Sequence, residues 1–197
     1  MSDVDVLQWV TGLFLLVVAI AWYLSYSAAR LDRLHSKVEG ALLSLDAQLV
    51  RRAESALELA MSGELDPSSA LIVADAATAS LERHTESLTT EDPLDGANFA
   101  GRELVETDLT EALNAALSAE VLADVTSGES PASEAYSRLR ASSMRVQMAR
   151  KFHNEAVREV RRVRAKAVVR VFRLAGYASL PEAVVFDDAV SGMSDLG

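Results

Sequence analysis

No cysteine occurs among the 197 residues of the chain. That excludes disulfides, thiolate metal sites, a cysteine nucleophile and acylation of a cysteine, so any stable fold must rest on packing alone. Proline and glycine are scarce, with four and nine copies, and aromatic residues make up 6%. Few helix breaks and a vocabulary of Ala, Leu, Val, Ser, Glu and Arg exclude a turn-rich sandwich or barrel and predict an all-α chain. The length has room for one domain plus an anchor, and a second independent core is not expected.

Catalytic and metal-binding patterns are missing as well. The three histidines, His35, His84 and His153, never stand three or four residues apart, so no helical turn pairs two imidazoles on one metal. Glu82 and His84 are two apart and form no Glu-x-x-His motif of the kind that bundles use for metals. No glycine-rich phosphate loop, Gly-x-Ser-x-Gly elbow or His-Glu-x-x-His occurs. The expectation is a non-enzymatic protein without a cofactor or metal.

Charge is abundant but unevenly placed. Residues 138–173 hold 12 Lys and Arg against two acids, Glu155 and Glu159, which leaves 7 basic and 27 acidic residues elsewhere. The chain therefore reads as an acidic body, net charge −10, with one basic helix.

Charge is absent altogether from Val6 to Ala29, a run of 24 residues. About 20 residues cross roughly 30 Å of hydrocarbon as a helix. Trp9 near one end and Trp22, Tyr23 and Tyr26 near the other are placed as interfacial anchors, while Thr11 and Ser25 can return their hydroxyls to the backbone. Asp3 and Asp5, before so long a run, do not fit a cleaved signal peptide. Arg30, Arg33 and Lys37 follow the span and no Lys or Arg precedes it. The positive-inside bias then puts residues 1–5 outside the cell membrane, 6–29 across it as a single pass, and the bulk in the cytoplasm.

Helical periodicity continues without a break beyond the span. Leu31, Leu34, Val38, Ala41, Leu45, Leu49 and Ala56 form one stripe, predicted to end near Met61 before Ser62 and Gly63. A second helix is predicted from Asp66 and Pro67 to about Leu88, with Leu71, Ala74, Ala77 and Leu81 inward. Asp92-Pro93 and Asp95-Gly96 mark a loop. A third helix is predicted from about Ala100 to Asp124, with Leu104, Leu109, Leu113, Leu117 and Leu122 among its apolar positions, closed by Ser127–Ser133. The fourth carries a seam at Leu139, Ser142, Val146, Ala149, His153, Ala156, Val160, Val163 and Ala167, in alternating steps of three and four as in a coiled coil. His153 on that seam is read as a packing or hydrogen-bonding side chain. The predicted architecture is a transmembrane helix continuing into an antiparallel bundle of about four long helices over 30–175. A tail over 176–197 follows, in which Val184–Phe186 docks or turns and the last residues fray.

Two segments carry a resemblance. Val38-Glu39-Gly40-Ala41-Leu42-Leu43-Ser44-Leu45-Asp46-Ala47-Gln48-Leu49-Val50-Arg51-Arg52 resembles the first soluble helix of the LemA family. Ala149-Arg150-Lys151-Phe152-His153-Asn154-Glu155-Ala156-Val157-Arg158 is similar to that family's last-helix signature. Leu42 and His153 stand where the family usually has Trp and Tyr. The resemblance covers roughly residues 1–60 and 135–188 and implies an antiparallel helical bundle on a bacterial inner-membrane anchor, without implying an activity.

Two functions are expected from these features. The first is an interaction or scaffold module with the lipid bilayer and an unidentified protein as partners, and a possible homo-oligomer. The second is contact with anionic lipid through Arg158, Arg161, Arg162, Arg164, Lys166, Arg170 and Arg173. About half of the charges among Arg138, Arg145, Arg150 and the residues from Arg158 to Arg173 are expected to pair with the acidic second and third helices. Nucleic acid is an unfavoured partner, since few aromatics interleave with these charges and the rest of the chain is acidic.

Overall fold

The computed structural model describes residues 3–90, 99, 101–127, 131–172, 179–191 and 193. Among these the chain is all-helical, with six helices and no strand pairing: α1 (Asp3–Ala60), α2 (Pro67–Thr90), α3 (Arg102–Ala116), α4 (Ala119–Ser127), α5 (Pro131–Arg164) and α6 (Ala167–Val171). The predicted loop over Asp92–Gly96, the beginning of the tail at Gly176, the final residues 194–197 and Arg173 lie outside the described residues.

Local chemistry sets most helix ends. α1 is a continuous helix of 58 residues and closes where Met61 N donates to Leu57 O at 3.0 Å and Gly63 adopts φ +83°, a left-handed turn that a side chain would strain. Asp66 caps α2: its Oδ1 accepts from Ser68 N at 3.0 Å and Ser69 N at 3.2 Å, with Pro67 at the first helical position. A hydrogen bond from the Ser69 side chain first, and then the backbone bonds from Ser69 and Ser68, hold the Asp66 carboxyl below its ordinary value of 3.8. α2 runs two residues past its predicted end at Leu88, to Thr90.

Three sequence expectations need correction. The single third helix is two, because the chain leaves α3 at Leu117, where φ is −88° and ψ 65°, and restarts under Ser118, whose Oγ accepts from Val121 N at 3.3 Å. The last helix breaks at Lys166, which is extended at φ −64° and ψ 136°, so Ala167 opens α6 and is exposed rather than seated in the seam; no proline or glycine explains that break. Leu71 and Leu104 face outward. Their helices are instead registered by Val73, Ala77 and Ser80 on α2 and by Arg102, Glu106, Leu109, Thr110 and Leu113 on α3.

The chain forms two compact units, Met1–Val38 with Ala156–Pro181, and Glu39–Glu155 with Glu182–Gly197. In the first, Leu31, Leu34 and Val38 of α1 pack with Ala156, Val157, Val160 and Val163 of α5 and Val169 of α6, beside a Lys37–Glu159 pair at 3.1 Å. The second holds a large cluster around Ala53, Ala56, Leu59, Val73, Leu109, Leu113 and Leu139, and a smaller one of Leu45, Leu49, Val146, Ala149, Val184 and Phe186. Every seam residue from Leu139 through Val163, namely Leu139, Ser142, Val146, Ala149, His153, Ala156, Val160 and Val163, is buried. The seam feeds three clusters rather than one continuous stripe.

Candidate functional site

The apolar part of α1 is the plainest surface feature. Its most apolar eighteen-residue window has mean hydropathy 1.9 and no buried residue; Leu13, Phe14, Leu15, Leu16, Val17 and Val18 all face outward. Exposure of so many large apolar side chains is unfavourable in water by about 25 cal/mol per Å2, and the helix is consistent with membrane anchoring. Thr11 Oγ1 donates to Leu7 O at 2.8 Å, which satisfies that hydroxyl within the helix. Trp9, Trp22, Tyr23 and Tyr26 are exposed, as interfacial rings would be.

In the same unit α6 reaches this apolar surface. Val168 and Phe172 line a shallow pocket with Ala19, Ile20, Tyr23 and Leu24, and Val171 is exposed beside them. Arg158, Arg161, Arg162, Lys166 and Arg170 are exposed and Arg164 is half-buried. Two of them tie down the chain that follows: Arg161 Nε donates to Pro181 O at 2.9 Å and Arg164 Nη1 to Ser179 O at 2.8 Å.

The second unit has an interior of a different kind. Arg52, Glu106, Ser80 and Thr110 are completely buried at 0% exposure, and Arg102 nearly so. Arg52 Nη2 donates to Glu106 Oε2 at 2.8 Å and to its backbone O at 3.0 Å, and Nη1 donates to Thr110 Oγ1 at 3.1 Å. Glu106 Oε1 accepts from Ser80 Oγ at 2.7 Å and from Arg102 Nε at 3.4 Å. Arg102 also pairs with Asp46, which meets His84 Nδ1 at 3.0 Å, and its guanidinium lies 5.7 Å from the Phe99 ring centroid. Two guanidinium groups face two carboxylates, so the network is charge-balanced, and both Glu106 oxygens are engaged. Such a carboxylate joins α1, α2 and α3.

Against α3 and α5 of that unit lies the third feature, an extended strap over residues 182–191. Val184, Phe186, Asp188 and Val190 are buried while Val185, Asp187 and Ala189 are exposed, a two-residue alternation that belongs to a strand. The strap pairs with no other strand among the described residues. Side chains of two helices supply its ladder instead. From α3, Glu103 Oε1 accepts from Val185 N at 2.6 Å, Thr107 Oγ1 accepts from Asp187 N at 3.2 Å, and Thr110 Oγ1 donates to Asp187 O at 2.7 Å. Asn114 continues the series, donating to Ala189 O at 3.0 Å and accepting from Ser191 N at 2.6 Å.

From α5, Asn154 holds both backbone groups of Val184, at 2.8 and 2.9 Å, and Gln147 Nε2 donates to Asp188 O at 3.0 Å. Buried His153 sets Nε2 3.3 Å from Glu182 O, as the protonated tautomer at that nitrogen would. Arg150 grips the Asp188 carboxylate with two bonds, 2.7 and 2.9 Å, and lies 5.3 Å from the Phe186 ring centroid. Backbone groups of the odd residues turn to α3 and those of the even residues to α5. The spans also agree: the 11 residue steps from Glu103 to Asn114 rise about 16 Å, and the six strand steps from Val185 to Ser191 cover about 20 Å.

The partners described for the α5 arginines are not on α2 or α3. Arg138 pairs with Glu58 of α1 and with Glu134 of its own helix, and Arg150 with Asp188 of the strap. Sequence reading passed over the buried network and the strap's ladder, although each had a signal. Arg52 sits three residues after Leu49 and four before Ala56 on a stripe that is otherwise apolar. Arg102, Glu106 and Thr110 recur at four-residue steps beside Leu109 and Leu113, and Val184, Phe186, Asp188 and Val190 alternate. No protein-family model, curated protein or solved structure matches the chain.

Proposed function

We propose that the chain is a single-pass cell-membrane protein with a cytoplasmic helical bundle that acts as a non-enzymatic interaction or scaffold module, of the kind its two signature-like segments share with the LemA family. The observation that carries the interaction reading is an uncovered apolar row on α5: Met144, Met148 and Phe152, at four-residue spacing, are 44%, 53% and 64% exposed. An exposed row of large apolar side chains on one helix face supports a docking surface. The basic flank of the span, Arg30, Arg33 and Lys37, supports the inward orientation, and the Arg138–Glu58 pair supports α5 lying along α1 as in an antiparallel bundle. A photo-crosslinking residue at Phe152 in cell membranes should give discrete protein adducts that Met148→Glu abolishes. Recovery of uncrosslinked monomer alone contradicts the reading.

A second reading, contact with anionic lipid, is favoured by the placement of Val168 and Phe172 against Ala19–Leu24 with exposed Lys166 and Arg170 alongside. Here α6 lies in the headgroup layer, with Val168, Val171 and Phe172 in contact with acyl chains and its cations with phosphate. A spin label at Val171→Cys in nanodiscs should be shielded from aqueous relaxant by anionic lipid and released at high salt. Equal shielding in neutral lipid removes the electrostatic part of the reading.

A further inference from the structure

The strap lies against α3 and α5, held by side chains of both helices. Its groove reads a main chain by side chains at 103, 107, 110 and 114 of α3 and 147 and 154 of α5, and it reads sequence at Val184, Phe186, Asp188 and Val190. We propose that this groove accepts the strap of a second copy of the chain, so that copies exchange straps and the strap bound in its own groove is one of two states of a homo-oligomeric switch.

Three observations select a second copy as the occupant. First, the buried positions of Val184, Phe186, Asp188 and Val190 and the Arg150–Asp188 pair are specific to this strap's alternation and acidic position, and another copy offers the same segment with the same chemistry. Second, the strap returns to its unit only after the chain has left it: residues 156–181 belong to the first unit, and the second resumes at Glu182. An element joined to its groove by such a detour is the kind that protomers swap, because each copy receives from its neighbour the same bonds that it gives up. Third, copies anchored in one membrane are held at high local concentration, which turns exchange into a near-intramolecular event. The inference deepens the interaction reading by naming a partner and a site, and it rests on that reading's membrane anchor. Its failure would leave the Phe152 adducts untouched, so the two fail separately.

The cysteine-free sequence makes the test direct. Thr107 Oγ1 meets Asp187 N at 3.2 Å, so Thr107→Cys and Asp187→Cys, placed in one full-length chain, should close an internal disulfide. Placed in two differently tagged chains expressed in the same membranes, they should give a covalent heterodimer under mild oxidation. Arg150→Ala, or excess synthetic peptide of residues 179–193, should reduce the heterodimer at least tenfold. Internal closure in the double variant without any heterodimer overturns the proposal. So does a heterodimer indifferent to Arg150→Ala and to the peptide, which reports collision, and so does failure of the internal disulfide, which removes the groove pairing itself.

Discussion

Helix α1 contains two stretches that invert one another. Between Leu13 and Val18 its large apolar side chains face outward, whereas between Leu45 and Ala56 the same helix hides a fully buried arginine, Arg52. Hydrophobicity alone sorts neither stretch. The outer leucines and valines call for an apolar solvent. The inner arginine is tolerated because Glu106 and Thr110 accept from both of its Nη nitrogens, and Ser80 and Arg102 in turn donate to the remaining oxygen of Glu106. Matched charge decides where the inner arginine can sit, and the exposure of the outer leucines and valines is consistent with membrane anchoring.

The largest effect should come from destroying the outer half of that contrast. Leu16→Arg with Val17→Arg costs about 5–7 kcal/mol for insertion, at about 2.5–3.5 kcal/mol per arginine near the centre of a span, and should shift the chain from the carbonate-resistant to the soluble or aggregated fraction. Arg52→Met alone leaves Glu106 buried without its main counter-charge and should lower unfolding stability by about 3–5 kcal/mol, while Arg52→Met with Glu106→Leu should recover most of the loss. Denaturant melts of the four chains of that cycle measure the coupling. Val146→Asp, which puts a charge into the cluster of Leu45, Leu49 and Phe186 with no cation given to it, should cost several kcal/mol, about 2–5. An unchanged melt would mean that this face of α5 is not core.

Smaller effects sharpen the comparison from the surface. The Arg138–Glu58 pair is about half exposed on both sides, so Arg138→Ala should change stability by no more than about 1 kcal/mol and less in high salt. Asp66 gives the smallest effect of the set, and it is read against pH. Its folded pKa lies below the ordinary 3.8, so its contribution is complete above that value and is lost as pH falls through the folded pKa. Asp66→Asn keeps an N-cap and should flatten that acid limb without moving stability at pH 7.

Much of this fold can be read from residue order. The uncharged run, the end of α1 at Ser62-Gly63, the Asp66-Pro67 start of α2 and the burial of the α5 seam through Val163 all follow from local rules that one sequence carries. Leu71 and Leu104 defeat those rules for a shared reason. Both helices carry buried polar residues on the inner face, Ser80 beside Val73 and Ala77 on α2 and the Arg102-Glu106-Thr110 row beside Leu109 and Leu113 on α3, and a reading that seeks leucines there cannot see that buried partners redeem polarity. The break at Lys166 has no residue-level signal. The strap's ladder is hidden for another reason: the alternation of Val184, Phe186, Asp188 and Val190 marks an extended segment, but its hydrogen bonds go to side chains of two helices more than 25 residues away in sequence, so its partners cannot be read locally.

The contrast within α1 can be measured in one experiment on the native cysteine-free background. Nitroxide labels are placed singly at Leu16→Cys and at Lys37→Cys of the full-length chain in bilayers, and their collision with oxygen and with a water-soluble nickel relaxant is compared. The account predicts Leu16 open to oxygen and closed to nickel, and Lys37 the reverse. Nickel access at Leu16 equal to that at Lys37 would contradict it, because the apolar half of α1 would then lie in water.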